Sequence, residues 1–500
     1  MQNKNAIIHH SSFLIPTLLH PNKRLQTPWN YAQLGLLIFP FMPLLGVFGL
    51  VLAAAIAWQQ QYYKIIHRPL NWLLAILAGW MILSSFFAFR PLDAGLGLFN
   101  FLPFFGFFAA FSALIQTPAQ LRRLAYILVV TSIPVVITGL GQLFWGWASP
   151  AQWHDFLVWL GCAIAPQGNP PGRMASVFVY TNLLAGYLVI VFILAVGLLI
   201  ETFPGKGDRR NRAGGAGEVL PIQNPKSKIQ NPLATRLFLT VAVIGNLGAL
   251  ILTYSRNAWT IAIFAAIAFA VYQGWQWLVG VISAIASSVF LAAFGPAPVQ
   301  QLLRHVIPSY FWQRLTDQLY PNRPVETLRK TQWQFAWGLA QERPWTGWGL
   351  RNFQPLYEAK MHAWLGHPHN LFLMLTAEIG IPATLVFCGW VMWVFCQAVQ
   401  LLLISIRERD LYRTAADTID TIPHARTVVA FDSNKNLYSF KGEHLTAQER
   451  LIFFSYLVAF FACILFNTVD VTIFDLRLNT LVWLLLSAIC GVVYHQRDAR

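Results

Sequence analysis

The chain has 500 residues and a formal net charge of +15; it is 56% hydrophobic, 15% aromatic and only 11% charged. In soluble domains about a quarter of residues are charged, so this composition excludes an ordinary soluble enzyme and indicates an all-α polytopic membrane protein. The excess Lys and Arg lie in short segments between apolar runs, where they orient helices in a bilayer, which argues against a nucleic-acid partner.

Residues 1–30 are polar, carry Lys4, Lys23 and Arg24, and lack a small-residue cleavage site behind an apolar core. They read as a cytoplasmic N-terminal segment. Apolar runs near 31–58, 70–89, 93–116, 124–146 and 174–200 make a first transmembrane bundle within 31–201. Residues 202–236 form a basic linker with several Gly and Pro, which the positive-inside rule places in the cytoplasm. Runs near 237–254, 257–273 and 275–293, within 237–293, then carry the chain out, so 294–369 is expected to be one large periplasmic loop.

Counting backward from the linker leaves the N-terminus inside only if 31–58 crosses twice, with Pro40 and Pro43 breaking it into a hairpin; the total is then about twelve helices. After the loop, 370–405 reads as a single transmembrane run, kinked near Pro382. A cytoplasmic insert follows at 406–449, in which Thr427–Phe440 reads as a small β-hairpin. The C-terminal segment 450–500 supplies two more helices, near 450–468 and 478–494. Cys162, Cys388, Cys396, Cys463 and Cys490 have no CxxC spacing, so neither a disulfide frame nor a metal site is indicated.

Candidate chemistry lies at the outer ends of these runs. Arg256, in Thr253-Tyr254-Ser255-Arg256-Asn257, sits between two apolar runs with almost no turn to spare, where a charge is usually paired or functional and a guanidinium suits a phosphate. A snorkelling interfacial arginine fits the same position. Arg173 precedes a helix with Ser176, Tyr180 and Asn182 following, and capping explains it as readily as a wet cavity does. In the loop, Arg329, Trp333 and Trp337 fall on one helix face that is expected to lie on the membrane surface, with Arg314 upstream. An aromatic belt fits the tryptophans equally. His369, beside His367 and Asn370 where the loop meets an apolar run, can serve as a general base near neutral pH. The His367/His369 pair has metal-ligand spacing, but no neighbouring carboxylate or Cys run supports a metal.

In chain order, Gly172-Arg173 with Asn182, Ser255-Arg256, Arg329 with Trp333, Arg343-Pro344, Gly347-Trp348-Gly349 with Asn352-Phe353, and His369-Asn370 with Glu378-Ile379-Gly380 resemble the O-antigen ligase and O-antigen polymerase superfamily. That superfamily includes cyanobacterial members labelled bicarbonate transporters. The resemblance implies a fold similar to the lipid-carrier-dependent glycosyltransferases, no metal and no cofactor. It also implies transfer of a glycan from a polyprenyl-diphosphate carrier to a lipid, glycan or protein acceptor at the periplasmic face of the cytoplasmic membrane. By position, Arg256 and Arg329 match arginines that engage the donor diphosphate, and His369 matches the histidine that activates the acceptor. Arg173, Arg314, His367, Asn370 and Trp333 are then substrate-binding candidates. An inorganic-anion transporter is the alternative, but it would place charges at the bilayer midplane with repeat symmetry, whereas here the ionisable groups gather at one face.

Overall fold

A computed structural model describes residues 19–203, 232–316, 324–421 and 445–498. Most of the basic linker, and the hairpin expected at Thr427–Phe440, lie outside the described residues. Within them the chain is helical, and the one β-type contact is an isolated bridge between Gly168 and Arg173. Among the described residues, ten helical spans are long and apolar enough to cross a membrane, Pro91–Leu114 counting as one.

The first run breaks where its prolines fall. Helix α1 (Gln26–Ile38) ends before Pro40, and α2 (Pro43–Ile66) begins on Pro43. The two arms pack closely because Gly35 meets Gly46 and Gly49, and a Cβ at any of the three would collide with facing backbone. At 13 residues α1 is about 20 Å long, short of a full hydrocarbon core.

Helices α3 (Pro69–Phe86), α4 (Pro91–Leu98), α5 (Leu102–Leu114) and α6 (Pro118–Phe144) follow, then a short α7 (His154–Leu160) and α8 (Thr181–Glu201). With mean hydropathy 3.0 and 78% of its window buried, α8 is the bundle's central post. It packs against α6, α9 (Pro232–Leu252), α10 (Arg256–Tyr272) and α18 (Ala447–Asn467). Gly197 allows the closest approach to α18, since a Cβ there would overlap Ser455. By contrast α11 (Gln276–Phe294) is only 11% buried and lies at the edge of the bundle.

The long loop is itself helical. Helix α12 (Ala297–Val306) turns Val299, Leu302 and Val306 outward, 40%, 70% and 80% exposed, while Gln300 and Arg304 donate to the Ala293 and Ala292 carbonyls at the end of α11. Its apolar stripe and polar face are those of an in-plane interfacial helix. Helix α14 (Arg329–Glu342) buries Gln332, Ala336, Leu339 and Ala340, packs against α16 (Leu371–Ile379) and leaves Trp337 exposed. Between them stand α13 (Ser309–Leu315), before α14, and α15 (Phe353–Met361), after it.

The run expected at 370–405 is two helices. It breaks at Gly380, whose φ of +84° favours glycine, and not at Pro382. Pro382 falls in the first turn of α17 (Ile381–Thr421), where a missing N–H costs nothing. That helix continues well into the stretch read as a cytoplasmic insert. Helices α18 and α19 (Leu476–Asp498) complete the bundle.

Candidate functional site

Two turns and one loop converge at the end of the bundle where α8 begins. The first is the loop 165–180. Gln142 accepts from Ala175 N and Ser176 N and donates to the Ala165 carbonyl, while Asn169 O accepts from Thr181 N. These bonds hold the backbone that carries Arg173. Its Nε donates to Thr253 O at 2.9 Å, and a terminal nitrogen donates to Asn182 Oδ1 at 3.2 Å.

Thr253 belongs to the second turn, which joins α9 to α10. Tyr254 there has φ +54° and packs at a tilt against Tyr310 of α13, whose hydroxyl donates to Ile251 O. Ser255 is the N-cap residue and Arg256 the first residue of α10. The Arg256 guanidinium reaches Leu315 O at 3.5 Å, so α13 lies over this turn.

The third element presents the histidines. Trp333 donates its indole N–H to Pro368 O at 3.0 Å, which fixes the His367-Pro368-His369 strap against α14. Asn370 caps α16 by accepting from Leu373 N. His369 takes φ +50°, and its Nδ1 lies 3.1 Å from Asp470 Oδ1. His367 stacks on Phe474, with its Nε2 3.8 Å from the same carboxylate oxygen.

Sequence reasoning missed Asp470, on the turn between α18 and α19. Its carboxylate is 8% exposed and well supported: Val471 N donates to Oδ1, Asn182 Nδ2 donates to Oδ2 at 2.9 Å, and His369 completes the set. Burial alone would raise this carboxyl; the hydrogen bond from His369 and the nearby imidazoles outweigh it and hold the carboxyl below its ordinary range. Burial pushes the His367 imidazole down to about 4; Asp470 opposes that shift, while His369 and Arg329 add to it. Arg329 thus acts electrostatically on His367. The side chain of Arg314 lies outside the described residues.

His367, His369 and Asp470 present ligand-type atoms within 4.8 Å of one another, a donor set of the kind that holds zinc. The hydrogen bonds oppose that use. His369 N–H donates to His367 Nδ1 at 3.2 Å, so the neutral His367 ring carries its proton on Nε2, facing Asp470. A metal on Nε2 would move that proton to Nδ1, against the His369 N–H. As a hydrogen-bonded group the arrangement is complete: His369 Nδ1–H donates to Asp470, and Nε2 is left as the basic nitrogen.

Residues 241–388 match the O-antigen ligase family. The chain carries an O-antigen ligase domain. It contains Arg256, Arg329 and His369, whereas Arg173, Asn182 and Asp470 lie outside it. A search of the curated proteins found no match.

The ligase domain's Gly347-Trp348-Gly349 and Asn352 prove to be a clasp. Trp348 N and Gly349 N donate to the Ala377 and Glu378 carbonyls, Phe89 N donates to Trp348 O, and Asn352 Oδ1 accepts from Arg90 N. This motif fastens the loop to α16 and to the α3–α4 turn.

Proposed function

We propose that the protein is a metal-independent membrane glycosyltransferase. It moves a glycan from a polyprenyl-diphosphate carrier to an acceptor hydroxyl at the periplasmic face of the cytoplasmic membrane. The observation that carries this reading is the 3.1 Å contact between His369 and a buried, fully supported Asp470, with Arg329 at hand, in a chain bearing an O-antigen ligase domain.

In the reaction, the acceptor oxygen bonds to the donor sugar's C1 as the bond from C1 to the diphosphate oxygen breaks. His369 Nε2 takes the acceptor proton, and Asp470 stabilises the imidazolium that forms. The diphosphate leaves with its electron pair, and Arg256 and Arg329 neutralise the charge that develops on it; in a water-poor site such fixed donors lower the barrier most. Trp333 and Asn370 contribute by fixing the strap on which His369 stands, and His367 shields its inner side. A ligase and a polymerase share this donor chemistry and differ in acceptor; a lipid acceptor is the reading adopted.

The test is transfer in proteoliposomes containing polyprenyl-diphosphate-linked donor, envelope lipid acceptor and a chelator. Wild type should form product, while His369→Ala and Arg256→Ala should lose about a thousandfold or more with the protein still in the membrane. Undiminished transfer by either variant would refute the site. No product, with labelled bicarbonate accumulating instead, would favour an anion transporter.

A further inference from the structure

We propose that Asn182 is a positioning residue for the base, and that with Arg173 it ties the turn carrying Arg256 to Asp470, so that the donor and acceptor halves of the site are held in register. The proposal rests on the glycosyl-transfer reading above and adds two residues that the ligase domain does not include.

The link is a continuous series of hydrogen bonds across four segments. Thr253 O accepts from Arg173 Nε at 2.9 Å, and Asn182 Oδ1 accepts from Arg173 at 3.2 Å. Asn182 Nδ2 donates to Asp470 Oδ2 at 2.9 Å, and Asp470 Oδ1 lies 3.1 Å from His369 Nδ1. Asn182 stands in the first turn of α8, which packs against α6, α9, α10 and α18, so its backbone is a fixed reference for both ends.

The chemistry explains why the intermediary is an amide. An arginine placed directly on Asp470 would make a closed ion pair and weaken the carboxylate's hold on the imidazolium. An aspartate at 182 would repel Asp470. Asparagine accepts from a cation at one end and donates to an anion at the other, passing on orientation while keeping the charges apart. Arg173, with its Nε and one terminal nitrogen committed to Thr253 and Asn182, belongs to this frame.

The other charged groups around the pair are accounted for. His367 faces Asp470 at 3.8 Å, Arg329 lies beyond His367, and Arg173 stands behind Asn182. On Asp470's own turn, Asp475 caps α19 through Leu478 N. Arg477 donates to the Gly161 and Val177 carbonyls and stacks on Phe178.

The deciding measurement is the pH–rate profile of transfer in the proteoliposomes. Asn182→Asp, nearly the same shape, sets a second carboxylate beside Asp470, and the pair then holds its proton more tightly. Its acid limb should move up by about one pH unit, a roughly tenfold loss at pH 6 that recovers above pH 8, with the donor KM little changed. Arg173→Gln should shift the same limb by less and decides the matter if Asn182→Asp fails to fold. Profiles that run parallel to wild type at reduced height mean a merely structural role and overturn the proposal. Wild type that transfers no glycan at any pH sinks the underlying reading and the proposal with it; active wild type with parallel variant profiles sinks the proposal alone.

Discussion

Helix α8 carries a buried ionic contact at each end, and the two are built differently. At its C-terminal end Glu201 takes three short bonds from Arg122 of α6, between 2.6 and 3.0 Å, with the two side chains 8% and 23% exposed. At its N-terminal end Asn182 supports Asp470, which holds His369 at 3.1 Å, and His369 is 29% exposed. In the first pair cation and anion satisfy each other, so nothing is left over for a ligand. In the second the anion is satisfied by neutral donors and the imidazole keeps a basic nitrogen. A self-contained ion pair fastens helices; a supported carboxylate with a half-used histidine is a place for chemistry.

The comparison is broken most directly at Asp470. Asp470→Asn should keep the shape but lose the tautomer control, lowering transfer by roughly a thousandfold while leaving the melting temperature near wild type. Steady-state assay with thermal melting in detergent checks both halves. Arg122→Ala should do the reverse, destabilising by about 3 kcal/mol through an uncompensated buried carboxylate, with transfer per folded molecule preserved. Denaturant unfolding measures that loss, and unchanged stability would contradict the fastening role.

Acid should act more gently, through His367 at the second site. His367 is held down to about 4 in the folded chain, against about 6.5 when unfolded. The folded state therefore resists its protonation, and the strap's stability, full above pH 6.5, is lost as pH falls from there toward 4. Hydrogen exchange across 362–370 should speed up at pH 5 relative to pH 7.5, and His367→Gln should flatten that dependence. Smallest of all, Cys388→Ala, at a half-buried position remote from both contacts, should cost less than about 1 kcal/mol and leave transfer intact.

The membrane class was legible because hydropathy is a sum over many residues, and most of the runs appear as helices near their expected bounds. The break at Pro40 and Pro43 was readable from proline alone. Two local features escaped. The chain turns at Gly380, two residues before the proline that drew attention, because a positive φ leaves no mark in hydropathy. The amphipathic stripe Val299, Leu302, Val306 of α12 is plain in the sequence but less conspicuous than the tryptophans of α14.

At the site, Arg173, Arg256, Arg329 and His369 were all selected from the sequence, and Asp470 was not. The signal existed: an aspartate in Asn467-Thr468-Val469-Asp470-Val471, between two apolar runs and on the same side as the loop by helix counting. What the sequence hides is the distance of 101 residues between His369 and its partner, a pairing that only the packing of α18 beside α8 creates.

Two residues near the proposed chemistry take a backbone form that side chains rarely adopt: Tyr254, two places before Arg256, at φ +54°, and His369 itself at φ +50°. Each costs of order 1 kcal/mol relative to a glycine or asparagine at the same point. A chain selected only for robustness would have surrendered both. If His369 is the base proposed above, the most heat-resistant variant at position 369 would also be an inert one.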